Sequence, residues 1–169
     1  METTRHFTAT VYVVNDGAVA LHHHDRLDMW LSPGGHLDRD ELPREAARRE
    51  VREETGLDVD LLEPETSVPV DAGRELAPAE HVMLFDIDVY PDGEVGHQHV
   101  DHVYFAEASD RDIAPEGHDE ADADEWEWFT PKTSGRTTSC RPKWSKSAWR
   151  PSRESSPGQR RPDPDFQIS

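Results

Sequence analysis

Apolar and polar residues alternate along Thr8–Asn15 (T-A-T-V-Y-V-V-N), many of them β-branched. Asp16-Gly17 then offers a turn and Ala18–His22 continues the pattern, so a hairpin is predicted. Met29–Ser32 is a short apolar run that stops at Pro33-Gly34-Gly35, which reads as a strand ending in a tight turn. The period changes between Leu42 and Thr55. No glycine interrupts that stretch, Ala46, Ala47 and Val51 recur at helical spacing, Pro43 suits a first turn, and Gly56 stands where a helix C-cap belongs. A helix is predicted there. Strands are expected over Leu57–Leu62, Ser67–Val70, His81–Tyr90, His99–Glu107 and Glu125–Phe129, with Pro91-Asp92-Gly93 as a turn and 110–124 as an acidic loop. A mixed sheet with one well-marked helix is α/β or α+β in class.

Beyond Thr130 the pattern vanishes. Residues 131–169 are rich in Ser, Pro, Arg and Lys, with 9 basic and 3 acidic side chains, whereas residues 1–130 hold 33 acidic side chains and 9 basic ones, every one of the latter Arg. The formal net charge of −18 thus combines −24 in the body with +6 in the tail. The division expected is one domain over 1–130 and a disordered basic tail over 131–169. Back-translated with GC-rich codons and shifted by one base, residues 131–147 read as an acidic, amphipathic string like the body. The tail is therefore expected to be a frameshift product.

The charge narrows the function. A body at −24 repels phosphate backbones and acidic membrane surfaces, so neither a nucleic-acid nor a membrane partner is expected. No apolar stretch approaches the ~20 residues of a transmembrane helix and the first ten residues have no signal-peptide core, so a soluble, cytoplasmic protein is expected. Cys140 is the single cysteine, which excludes an intrachain disulfide and a cysteine-based zinc site. Dispersed acid, a body without lysine and few large aliphatics point to a salt-adapted protein whose self-repulsion is screened by molar salt.

One segment carries chemistry. From Gly35 to Leu57 the chain follows G-x5-E-x7-R-E-U-x-E-E-x-G-U, with U a bulky aliphatic: Gly35, Glu41, Arg49, Glu50, Val51, Glu53, Glu54, Gly56 and Leu57. Spacings of i, i+3 and i+4 put Glu50, Glu53 and Glu54 on one helical face. Three close anions repel unless a multivalent cation neutralises them, and carboxylate oxygens suit hard ions such as Mg²⁺ or Mn²⁺. Arg49, four residues before Glu53, can hold it. Gly35 allows a close backbone approach, so that its carbonyl can reach the ion.

This pattern is the Nudix box without a departure, and residues 7–130 resemble the Nudix hydrolases, MutT-like enzymes. The resemblance implies an α/β/α sandwich with a mixed sheet and the Nudix helix. It implies Mg²⁺-dependent (or Mn²⁺-dependent) hydrolysis of a diphosphate bond in a nucleoside diphosphate linked to another moiety, with a small nucleotide as partner and a homodimer left open. It makes Gly35, Glu50, Glu53 and Glu54 metal ligands and Glu53, Glu50 and Arg49 the catalytic residues, with Glu41 supporting the loop. Members often recruit one more acid from the loop before the last strand; Glu120 is the candidate ligand, followed by Asp119 and Asp122. Which glutamate acts as the base varies in the family and stays open. Two other functions fit the fold: a non-catalytic nucleotide sensor, disfavoured by the intact acids, and an isoprenoid diphosphate isomerase-like enzyme, disfavoured by the absence of a cysteine from the body.

Other polar clusters are less informative. His22-His23-His24-Asp25 fits a strand end with alternating orientations better than a metal site. His97, His99 and Asp101 should share one sheet face, more in keeping with an exposed face than a cleft lining. Trp126 and Trp128 read as core or cleft wall, and Trp30 as a residue that either contacts a base or packs beneath the helix.

Overall fold

The computed structural model describes residues 2–64, 71–118 and 120–130. The strand expected over Ser67–Val70, the candidate ligand Asp119 and the whole tail, including Cys140, lie outside these residues. The elements are β1 (Thr4–Asn15), β2 (Ala18–His24), β3 (Met29–Leu31), β4 (Gly34–His36), α1 (Pro43–Thr55), β5 (Val59–Leu61), β6 (His81–Val89), β7 (Val95–Ala108), a 3-10 turn (Ala123–Glu125) and β8 (Trp126–Phe129). The fold is α/β, with α1 on a mixed sheet; among the described residues no second helical layer is present.

The central pair of the sheet is β1 and β7, parallel from Thr4↔His97 to Val14↔Glu107. This pairing joins residues some 93 positions apart, and it explains why both strands outrun their sequence signal. Thr4–Phe7 extends β1 because it pairs with His97–Val100, and Val95–Gln98 extends β7 because its residues find partners in Thr4 and Arg5 of β1 and in Asp86, Asp88 and Val89 of β6. On the outer edge of β1, β2 forms the expected hairpin through Asn15↔Ala18, and β4 pairs antiparallel through Ala9↔Gly35. Of the Pro-Gly-Gly segment expected as a turn, Pro33 is a bend and the two glycines are already strand. Two glycines carry no strand propensity, but a Cβ at Gly34 would strike the backbone of Ala9 and Thr10, so glycine is what lets the strand approach β1 closely.

Strand alternation divides the sheet into two faces. Ala9, Val11 and Val13 of β1 and Tyr104, Ala106 and Ala108 of β7 form the core with Ala46, Ala47 and Val51 of α1. The intervening residues, His6, Thr8 and Thr10 of β1 with His97, His99 and Asp101 of β7, lie on the opposite face. Helix α1 starts at Pro43, where Glu45 accepts a hydrogen bond from the Leu42 amide at 2.9 Å. It ends at Gly56 (φ 69°), whose amide donates to the Arg52 carbonyl at 2.8 Å.

Candidate active site

Arg49 organises the polar face of α1. Its Nε and Nη2 donate to Glu41 Oε1 and Oε2 at 2.9 and 2.8 Å, the two-pronged geometry that fixes a guanidinium. Nη2 also reaches the His36 carbonyl at 3.0 Å. The remaining nitrogen, Nη1, donates to Glu50 Oε1 and to Glu53 Oε2, both at 2.9 Å. Glu41 thus anchors the arginine, and the arginine in turn holds two box acids. The same bonds keep the Glu41 carboxyl below the usual carboxylate range and the guanidinium above its own.

Glu54 is turned the other way. It is only 7% exposed and accepts the Gly34 amide at 2.6 Å. Burial, with repulsion from Glu120, Glu50 and Glu53, outweighs that bond and pushes its carboxyl up to about 8. Glu50 shifts upward for the same leading reason, burial, opposed by Arg49 and reinforced by Glu53 and Glu120. The Glu53 side chain is 42% exposed and lines an open cleft of about 680 Å³ with Arg49, Arg52, Glu116 and Glu120. The three box acids therefore share a helical face while pointing to different partners: Glu50 and Glu53 to Arg49, Glu54 to β4.

Gly35 lies directly over Glu50, since a Cβ there would overlap the Glu50 carboxylate. The last turn of α1 captures the acidic loop: the Glu116 and Gly117 amides both donate to the Glu53 carbonyl at 2.8 Å, and Ala114 N–H donates to the Thr55 carbonyl at 2.9 Å. These bonds satisfy carbonyls that every helix end leaves free and bring Glu120 within electrostatic reach of Glu50 and Glu54. Asp122 instead sits at the start of the 3-10 turn, its amide donating to Glu125 at 2.8 Å.

The donor set suits a hard divalent cation. The box acids and Glu120 offer carboxylate oxygens, a backbone approach is left open at Gly35, and the half-buried Glu50 and buried Glu54 carry mutual repulsion that a cation would relieve.

The His22-His23-His24 run is a strand end with alternating side chains, as expected, while the approach of His22 to Glu54 had no signal in the sequence. His22 Nε2 comes within 4.0 Å of Glu54 Oε2 and its ring packs on Trp126 at 4.8 Å, and burial lowers its pKa. His23 turns to the other side, toward Asp25 (3.1 Å) and Asp28 (3.4 Å), as strand alternation requires. Trp30 packs on Phe129 and His23 instead of beneath α1, Trp126 belongs to the core, and Trp128 donates from Nε1 to the Arg111 carbonyl at 3.3 Å.

Comparison with known proteins gives a consistent picture. The NUDIX domain profile matches residues 4–147, which runs past the last described residue. A NUDIX-family hydrolase from Clostridium perfringens is similar in structure, with 29% identity, 80% of this chain and 88% of the other covered, and a TM-score of 0.65. A MutT NUDIX hydrolase from Burkholderia pseudomallei is 25% identical over 75% of this chain and 84% of its own, with a TM-score of 0.50. The E. coli dihydroneopterin triphosphate pyrophosphohydrolase shares the fold at 18% identity, covering 79% and 86% of the two chains, with a TM-score of 0.53. Among curated proteins none matches.

Proposed function

The chain belongs to the NUDIX domain family and is a hydrolase of the pyrophosphatase type, and we propose that it hydrolyses the diphosphate bond of a nucleoside diphosphate linked to another moiety, with Mg²⁺ as cofactor. The observation that carries this reading is the Arg49 fork: one guanidinium, anchored on Glu41, holds Glu50 and Glu53 beside the buried Glu54 and the loop acid Glu120. A folded domain concentrates this much negative charge at one point only at a cost, and a bound divalent cation offsets it.

Gly35, Glu50, Glu53, Glu54 and Glu120 would hold the cation, which supplies charge neutralisation on the diphosphate and a more acidic water. The protein's own contribution is positional. Arg49 fixes the carboxylates of Glu50 and Glu53 and balances part of their charge. Glu53, the exposed member, faces the open cleft where a substrate enters. A carboxylate of this pair takes the proton of the attacking water, and attack at phosphorus then expels the leaving phosphate. Dihydroneopterin triphosphate, the substrate in the name of one structural neighbour, is likewise a small molecule with phosphoanhydride bonds.

The test is a panel of ADP-ribose-like, dinucleoside polyphosphate, nucleoside triphosphate and sugar-nucleotide compounds, assayed in high salt with Mg²⁺ and again with chelator. Turnover of at least one compound that stops on chelation is the expected result. Tight, metal-independent binding of a nucleotide with no turnover would replace this reading by a sensor.

A further inference from the structure

On the sheet face opposite α1, four histidines converge. His6 of β1, His36 of β4 and His97 and His99 of β7 each offer one ring nitrogen, and these four nitrogens lie within 4.8 Å of one another. The rings pack edge to face, with centroids 4.7 Å apart for His6–His97 and for His36–His99 and 4.8 Å for His97–His99. Strand register produces the cluster. His6 pairs with His99, His97 lies two residues before His99 on the same face, and His36 pairs with Thr8, two residues beyond His6.

This group is separate from the carboxylate site. Successive residues of a strand point to opposite faces, so the face of Gly35 looks at Glu50 while the His36 side chain points through the other side of the sheet. Its donors are also of a different kind: neutral imidazoles favour borderline ions such as Zn²⁺ over Mg²⁺.

A second observation points to a ligand. His97 Nε2 and His99 Nε2 are buried and have no hydrogen-bond partner, a state that costs roughly 1–3 kcal/mol per polar group when nothing pairs with it. The other nitrogen of His97, Nδ1, lies 3.8 Å from Asp88 Oδ2, on the side where a metal-bound imidazole usually meets a carboxylate. His6 and His36, in contrast, are exposed and line an open depression of about 470 Å³, which gives an ion a route from solvent and lets two of the four rings adjust. Nitrogens around tetrahedral zinc sit about 3.4 Å apart, given Zn–N bonds of about 2.0–2.1 Å, so closure of the cluster asks for shifts on the order of 1 Å.

We propose that His6, His36, His97 and His99 form a second metal site, specific for a divalent transition ion of the Zn²⁺ class, on the face of the sheet opposite the carboxylate cluster. Zinc there ties the start of β1, the glycine strand β4 and the start of β7 into one unit, the three segments whose pairing residues are polar and whose strand propensity is weak.

The experiment uses the full chain stripped of metal and titrated with Co²⁺ as an optical probe and then Zn²⁺. One equivalent of Co²⁺ should give the intense visible absorption of a tetrahedral nitrogen site, and one equivalent of Zn²⁺ should abolish it and raise the Tm. The signal should persist in Glu53→Gln and Glu54→Gln. It should be weakened at least 10-fold in His6→Gln and in His36→Gln, both exposed positions at which folding is easily checked by circular dichroism, and lost in His97→Gln/His99→Gln. Only weak octahedral absorption in the wild type, an intense signal that saturates at other than one equivalent, loss of that signal in the glutamate variants, or unchanged affinity in folded His6→Gln and His36→Gln would each overturn the site.

Discussion

Glu54 shows how a single residue couples the site to folding. Its carboxyl sits near 8 in the folded chain, against about 4.5 for an ordinary glutamate. The folded state therefore binds the proton more tightly, and this group favours folding below about pH 4.5 and loses that contribution as pH rises toward 8. The metal-free Tm should fall between about pH 5 and pH 8, Mg²⁺ should raise it more at the higher pH, and Glu54→Gln should flatten both trends. An unchanged Tm across this range in the wild type would show that Glu54 is not held as described. The box residues are legible in the sequence because each is fixed by local spacing on one helix. Glu120 stands out in the sequence only as one acid among several: what brings it within electrostatic reach of Glu50 and Glu54 is the capture of its loop by the Glu53 and Thr55 carbonyls. His6 and His36 carry no signal, since their meeting with His97 and His99 depends on a strand pairing that spans most of the described chain.

At the scale of elements, α1 is readable from both ends. Apolar spacing, Pro43 at the start and Gly56 at the end are local signals, and each has its structural counterpart. Gly56 carries two constraints: a φ of 69° and the Ala114 carbonyl in the space a Cβ would take. Gly56→Ala should cost about 1–3 kcal/mol in urea unfolding, beyond the roughly 1 kcal/mol of the left-handed conformation alone, because the loop bearing Glu120 has to move. A cost near zero would mean that the loop is not docked there. Strand β4 looks like a turn in the sequence for an equally physical reason. Pro-Gly-Gly is a turn signal in isolation, and only the proximity of β1 converts its two glycines into a strand. The hairpin, β6 and β8 lie within a few residues of their expected bounds, while β7 begins four residues before its expected start because Thr4 and Arg5 of β1 and Val89 of β6 supply partners for its first residues.

For the whole molecule, charge outweighs every other global feature. A formal −24 over residues 1–130, with 33 acidic side chains and no lysine, produces self-repulsion that only part of the structure offsets, chiefly at Arg49, Arg44 and Arg52. We propose that the protein is adapted to high salt: its Tm should climb steadily as KCl rises from about 0.1 M to about 2 M, well past the point at which ordinary screening saturates. A plateau near 0.2 M would mark an acidic protein of ordinary habitat. The frameshift origin of 131–169 is a proposal about residues outside those described, and resequencing the gene across the codon for Pro131 decides it. The NUDIX profile continues to residue 147.

The central claim is that the carboxylates gathered by Arg49 perform the hydrolysis. It is tested most directly by comparing kcat for wild type and Glu53→Gln on the compound that turns over, in Mg²⁺ and high salt, with Tm as a check on folding. Removal of one negative oxygen from the exposed acid should lower kcat by at least about 100-fold and leave Tm within a few degrees. A folded Glu53→Gln enzyme that keeps kcat within about threefold of wild type would contradict the account.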